Sequence, residues 1–135
     1  MNDIMDMDIN ERRQYVESEF ARCLPWIDAA LEHGGNVHKA EDVLAGIFEG
    51  CYQFWPAPNG AVVTEILCYP QSKTLHIFLG GGDIGQLLDM ESSLIAFAQI
   101  NECDEITITG RRGWVKALRS IGFDEAATTV RRKVK

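Results

Sequence analysis

Apolar residues in the first third of the chain recur in steps of three and four. Val16, Phe20, Cys23, Ile27 and Leu31 fall on one face of a helix starting near Glu11. Pro25 interrupts this run; proline lacks a backbone donor and crowds the preceding turn, which predicts a break or kink near Leu24. His33-Gly34-Gly35-Asn36 ends the helix. A second, shorter helix is predicted from about Lys39 to Phe48, with Val43, Leu44, Ile47 and Phe48 turned inward and Gly50 as its stop.

Beyond Gly50 the apolar period changes from about 3.6 to 2. Cys51 to Trp55, Ala61 to Tyr69 and Thr74 to Leu79 read as three strands, and the short connections PAPNG and PQSK predict an antiparallel meander. In AVVTEILCY, one face carries Ala61, Val63, Glu65, Leu67 and Tyr69, the other Val62, Thr64, Ile66 and Cys68. Both faces are largely apolar, as suits a strand covered on both sides. Glu65 is the exception.

The next apolar run ends in FLGGGDIGQLL, from Phe78 to Leu88. Three successive glycines before Asp83 and Gly85 predict a loop, and glycine lets a backbone approach a phosphate closely. A helix follows from about Met90 to Asn101, with Leu94, Ile95, Phe97 and Ala98 inward. EITIT is a short strand in which Ile106 and Ile108 alternate. Gly110 leads into another helix, striped by Trp114, Val115, Leu118 and Ile121 and closed by Gly122-Phe123. Ala126 to Val134 reads as a terminal strand.

The length of 135 residues and 46% hydrophobic content fit one compact domain, taken as residues 13–135. Residues 1–12 are acidic, lack alternation and are expected to be disordered. No run of eighteen apolar residues and no basic-then-apolar leader occurs, which predicts a soluble, unexported chain without a membrane partner. Cys23, Cys51, Cys68 and Cys103 form no CxxC pair and are read as reduced and mostly buried. His33, His38 and His76 have no metal-ligand spacing, so no metal is expected.

Charge divides the chain. Net charge is −7 over residues 1–50, −6 over 51–110 and +6 over 111–135. The basic end suits phosphate groups or an acidic protein neighbour, or is a solvated face. Nucleic-acid binding through Arg111, Arg112, Lys116, Arg119 and RRKVK is disfavoured, because the acidic body repels phosphates and no nucleic-acid motif is present.

KTLHIFLGGGDIGQLL resembles the fourth strand and pyrophosphate loop of the GNAT superfamily of acyl-CoA N-acyltransferases. RRGWVKALRSIGF resembles the helix, closed by a Gly-Phe pair, that follows that family's fifth strand. The order of elements resembles the family over residues 26–134. EGCYQFWPAPNGAVVTEILCYP together with ITGRRGW is also similar to small phage and prophage proteins, related in outline to GNAT-like internal virion proteins. The resemblance implies an α+β fold: a three-layer α/β/α arrangement around a mixed, mostly antiparallel sheet, with two N-terminal helices and two later ones. It also implies a bacterial cytoplasmic protein, or one incorporated into a phage virion.

On the enzymatic reading the resemblance implies acetyl-CoA as donor and an amine as acceptor. Leu79, Gly80, Gly81, Gly82, Ile84 and Gly85 would then bind the coenzyme, with Arg111 and Arg112 supplying the positive charge that the glycine segment lacks. Glu65 is the candidate base, since burial would raise a carboxylate's pKa toward neutrality, and His76 on the next strand would assist or replace it. The chain departs from the family pattern at Asp83, which puts negative charge in the loop, and at Leu118, where the family often has a tyrosine; Tyr52 and Tyr69 are the candidate replacement acids. The alternative is a catalytically silent GNAT-fold virion structural or assembly protein that binds phage structural proteins or itself, for which the charge polarity favours head-to-tail contacts.

Overall fold

The computed structural model describes residues 8–110 and 112–135, without the side chains of Arg112 and Val115. Residues 1–7, part of the segment expected to be disordered, lie outside it. Asp8 caps the first helix, α1 (Ile9–His33), its carboxylate accepting the Glu11 N–H at 2.7 Å. The helix runs unbroken through Pro25, contrary to the expected break. Pro25 and Ala21, whose carbonyl loses its helical partner, are both exposed, so water can serve that carbonyl. Cys23 and Ile27, buried on either side of the proline, tie both halves of the helix to one core.

Helix α2 (Ala40–Phe48) begins where Lys39 N–H donates to the Asp42 carboxylate at 2.8 Å. It is followed by β1 (Tyr52–Ala57), β2 (Gly60–Tyr69) and β3 (Ser72–Gly82), the expected antiparallel meander. Two helices, α3 (Ile84–Asp89) and α4 (Glu91–Ile100), carry the chain across the sheet to β4 (Glu105–Ile108), which pairs parallel to β3; a parallel pair requires such a crossover. α5 (Arg112–Arg119) closes the regular structure.

The sheet order is β1-β2-β3-β4. One face carries α1 and α2 over a core of Phe20, Cys23, Ile27, Leu31, Val43, Ala61, Val63 and Leu79. The opposite face is covered by α3, α4 and Trp114 of α5, over Val62, Leu75, Ile77, Leu87, Leu94 and Ala98. These are the three layers that the family resemblance implies.

Further features differ from the sequence reading. β3 runs through Gly82, so the triple glycine ends a strand and is not a loop. The short helix α3 is additional, and it begins one residue after that strand. No terminal strand forms: residues 126–135 have no regular structure, and Val130 and Val134 are 90% and 91% exposed. Arg131, Arg132, Lys133 and Lys135 crowd like charge into that segment, and its alternation buries no face. Of the cysteines, Cys51 and Cys68 are exposed, against the expectation of burial. No helix among the described residues is long and apolar enough to cross a membrane.

Candidate active site

The site begins with a register shift. Val63 of β2 pairs with Leu79 of β3, but the next residue, Thr64, pairs with Ile77. Phe78 is therefore an extra residue in β3, and such a bulge bends the strand that carries it. On the other side, β3 and β4 pair from Thr74 and Glu105 only as far as Ile77 and Ile108. Beyond that point the pairing stops, and among the described residues no strand pairs with the β3 edge from Phe78 to Gly82 on the β4 side.

The opening holds a cavity of about 270 Å³. Its walls are Phe78, Leu79 and Gly80 of β3, the segment Ile108–Thr109–Gly110 after β4, the C-terminal turn of α1 at Ala30, His33 and Gly34, and Trp114 of α5. Gly80 belongs here for a steric reason: a Cβ at this position would lie 3.2 Å from the Trp114 ring.

A row of polar side chains crosses the sheet just below the opening. Tyr52 of β1 is directly opposite Glu65 of β2, Glu65 opposite His76 of β3, and His76 opposite Thr107 of β4. Directly opposed residues share a face, so all four side chains stand on the α1/α2 side. His76 Nδ1 lies 2.8 Å from Thr107 Oγ1, and Nε2 lies 3.5 Å from the hydroxyl of Thr109, which lines the cavity. Tyr52 reaches the same cavity wall through its ring, which packs at a tilt of 47° against that of Phe78 with centroids 4.7 Å apart; Gly46 of α2, lacking a side chain, leaves the space in which the Tyr52 ring sits.

Burial lowers the His76 pKa from its ordinary 6.5, and the Glu65 carboxylate opposes that change. The imidazole is therefore neutral at pH 7 and can accept a proton. Tyr52 is shifted the other way: burial first, then the Glu65 charge, raise its pKa and keep the phenol protonated. Thus the structure brings Glu65 and His76 together as neighbours, with the replacement-acid candidate Tyr52 beyond Glu65. Tyr69 lies at the far, exposed end of β2 and is not part of the row.

The glycine segment is committed elsewhere. A Cβ at Gly81 would lie 2.8 Å from the Trp26 carbonyl oxygen and 3.1 Å from its Cβ, so this glycine is where α1 crosses the sheet closely. Gly82 has φ +98 and abuts the Asn59 backbone. Asp83 caps α3: its Oδ1 accepts the Gly85 N–H at 2.8 Å, its own N–H donates to Asn59 O at 2.8 Å, and its carbonyl accepts from Gln86 and Leu87 at 3.1 and 3.3 Å. Ile84 opens α3 and is 37% exposed. The N–H groups of Asp83, Gly85, Gln86 and Leu87 already have partners and a carboxylate stands among them, so the turn does not favour the diphosphate end of a coenzyme. The open strand edge does fit an extended arm that carries amides. Arg111 lies outside the described residues, as does the Arg112 side chain.

Sequence reasoning missed Thr107, Thr109, His33 and Phe78 as parts of this site. EITIT alternates, so Thr107 and Thr109 on the face opposite Ile106 and Ile108 were available as a signal. The bulge at Phe78 had none, because it is a product of pairing.

No family model and no curated protein sequence matches the chain. Solved structures do match it. An aminoglycoside acetyltransferase from an uncultured soil metagenomic sample, in complex with sisomicin, is 12% identical with a TM-score of 0.62, over 91% of this chain and 92% of that one. A predicted acetyltransferase from Clostridium acetobutylicum, with acetyl-CoA, is 10% identical with a TM-score of 0.61, over 98% and 93%. An acetyltransferase from Trypanosoma brucei is 12% identical with a TM-score of 0.55, over 82% and 94%. The chain has the GNAT acetyltransferase fold, as its sequence resemblance implies.

Proposed function

We propose that the protein is an N-acyltransferase that moves an acyl group from a pantetheine-type thioester to an amine. The donor's arm lies between the diverging β3 and β4, and His76 is the base. The parting of the strands at Ile77 and Ile108, beside His76, carries this reading. It offers an unpaired strand edge along a cavity of about 270 Å³, and an extended arm with amide groups is what such an edge can bond. The acetyl-CoA of the Clostridium acetobutylicum structure supports a donor of this class, and the aminoglycoside acetyltransferase supports an amine-bearing acceptor.

The thioester supplies an activated acyl group. With the Nδ1 proton donated to Thr107 Oγ1, His76 keeps the Nε2 lone pair toward Thr109 and the cavity, where it takes the proton of the attacking amine. A new C–N bond forms, the C–S bond breaks, and the proton held by His76 balances the charge of the departing thiolate. Glu65, opposite His76 on β2, stabilises the imidazolium while it exists.

The test is thiol release from S-acetylpantetheine and from acetyl-CoA in the presence of a panel of primary amines. His76→Gln is expected to slow release by about 100-fold while the chain still unfolds cooperatively. Absence of release with every amine would remove the enzymatic reading.

Two observations favour a second reading, a catalytically silent GNAT-fold virion or assembly protein. Asp83 holds the Gly85 amide, and Leu118 is buried where the family often has its acid. That reading predicts no thiol release and recovery of the chain in phage particles.

A further inference from the structure

Asp83 performs in this fold the task that a bound anion performs at other helix starts. A helix N-terminus preceded by glycines offers free N–H groups and partial positive charge, which attract phosphate. Here the Gly85 N–H is held by Asp83 Oδ1 at 2.8 Å, and the Asp83 N–H by Asn59 O at 2.8 Å. Asn59 is itself fixed through its N–H to Gln86 Oε1 at 2.6 Å, so the crossing between the β1–β2 turn and α3 is bonded shut. Gly81 and Gly82 owe their lack of side chains to Trp26 and Asn59. Gly80 likewise owes its lack of a side chain to the Trp114 ring, so close packing explains all three glycines without a phosphate. The cavity, by contrast, lies along Phe78, Leu79 and Gly80, before the Asp83 cap, and is open.

We infer that the donor is recognised by its acyl-pantetheine arm alone, and that Asp83 removes the advantage a diphosphate and nucleotide would otherwise give. The substrate class is the acyl-pantetheine thioester, with or without a nucleotide attached. This rests on the acyltransferase reading of the same cleft and adds a specificity to it.

The consequence is measurable on the folded chain. By calorimetric titration, S-acetylpantetheine and acetyl-CoA should bind the unaltered protein within about threefold of each other, because nothing rewards the diphosphate. Asp83→Gly frees the Gly85 amide and removes the charge; it should tighten acetyl-CoA about tenfold and leave S-acetylpantetheine unchanged. Asp83→Asn keeps an oxygen for the Gly85 N–H while dropping the charge, and serves if the glycine variant fails to fold. It should tighten acetyl-CoA about threefold. Acetyl-CoA binding tenfold or more tightly than S-acetylpantetheine to the unaltered protein, on the order that free amides would supply, overturns the inference and leaves the cleft reading standing. Unchanged preferences in the Asp83 variants overturn the assignment to Asp83. If neither thioester binds, the inference and the acyltransferase reading fall together.

Discussion

Glu65 and His76 are directly opposed across the β2–β3 ladder, two residues before the point where the bulge at Phe78 bends β3 away. Each alters what the other can do. Burial favours the neutral imidazole, while the carboxylate favours its protonated form, so the pair sets His76 below its ordinary pKa but not as far below as burial alone would.

The first prediction is a pH profile. The acid limb of thiol release should follow His76 and lie below pH 6.5. Glu65→Gln removes the influence that raises the His76 pKa, so the limb should move further toward acid. Movement toward neutral pH would contradict the pairing. Rates measured between about pH 5 and 8 are sufficient.

Stability should carry the same signature. Unfolded His76 takes a proton near 6.5, whereas the folded residue does so only at lower pH. Its contribution is therefore fully present above pH 6.5 and is lost as pH falls from there through the folded pKa. Urea unfolding at about pH 7.5 and about pH 5.5 should show a smaller acid-induced loss for His76→Gln than for the unaltered protein. Equal losses would mean that His76 is not shifted.

Glycines in this chain differ in what they do, and substitution should sort them. Gly81→Ala pushes a Cβ against the Trp26 backbone and should destabilise by about 1–3 kcal/mol, with loss of structure and not a selective loss of binding. Gly113 in α5 has open space around its Cβ position, so Gly113→Ala should stabilise by about 0.5–1 kcal/mol through helix propensity. Thermal unfolding reads both. A stabilised Gly81→Ala would contradict the close crossing of α1.

Arg22 ties α1 to the β1–β2 turn. Its guanidinium donates to Pro58 O at 3.0 Å and Ala57 O at 2.8 Å while Nε holds Glu19 at 2.7 Å. Arg22→Ala should lower stability by on the order of 1 kcal/mol, and Arg22→Lys should recover only part of it, since an ammonium cannot make the fork. Full recovery by lysine would show that charge alone matters here.

Thiol labelling should be ordered by exposure. Cys51 and Cys68 are exposed and should react first; Cys103 is half-buried with its pKa raised by burial, and should be slower. Cys23 is fully buried, and burial raises its pKa too, so it should react only on unfolding. Early labelling of Cys23 would contradict the α1 packing.

How much of this was legible in sequence depends on the kind of interaction. The stripe Phe20, Cys23, Ile27 and Leu31 and the alternation in AVVTEILCY carried the layers, because burial of a periodic face is local information. Glu65 and His76 were identifiable as polar residues on otherwise apolar strands. Their opposition, however, depends on strand register, which only pairing fixes. The triple glycine misled for a related reason. A glycine demanded by a neighbouring helix looks the same in sequence as one demanded by a phosphate, and the helix at Trp26 is more than fifty residues away in the chain. Pro25 was overruled by core contacts on both sides of it.

The most direct test of the donor cleft is nuclear magnetic resonance titration of the isotope-labelled protein with S-acetylpantetheine. Saturable shifts are expected at the amides of Phe78, Leu79, Gly80, Thr109 and Gly110, together with the His76 ring, while Gly85 stays still on its Asp83 cap. Absence of shifts at Phe78 to Gly80, or shifts confined to other parts of the molecule, would contradict the donor cleft.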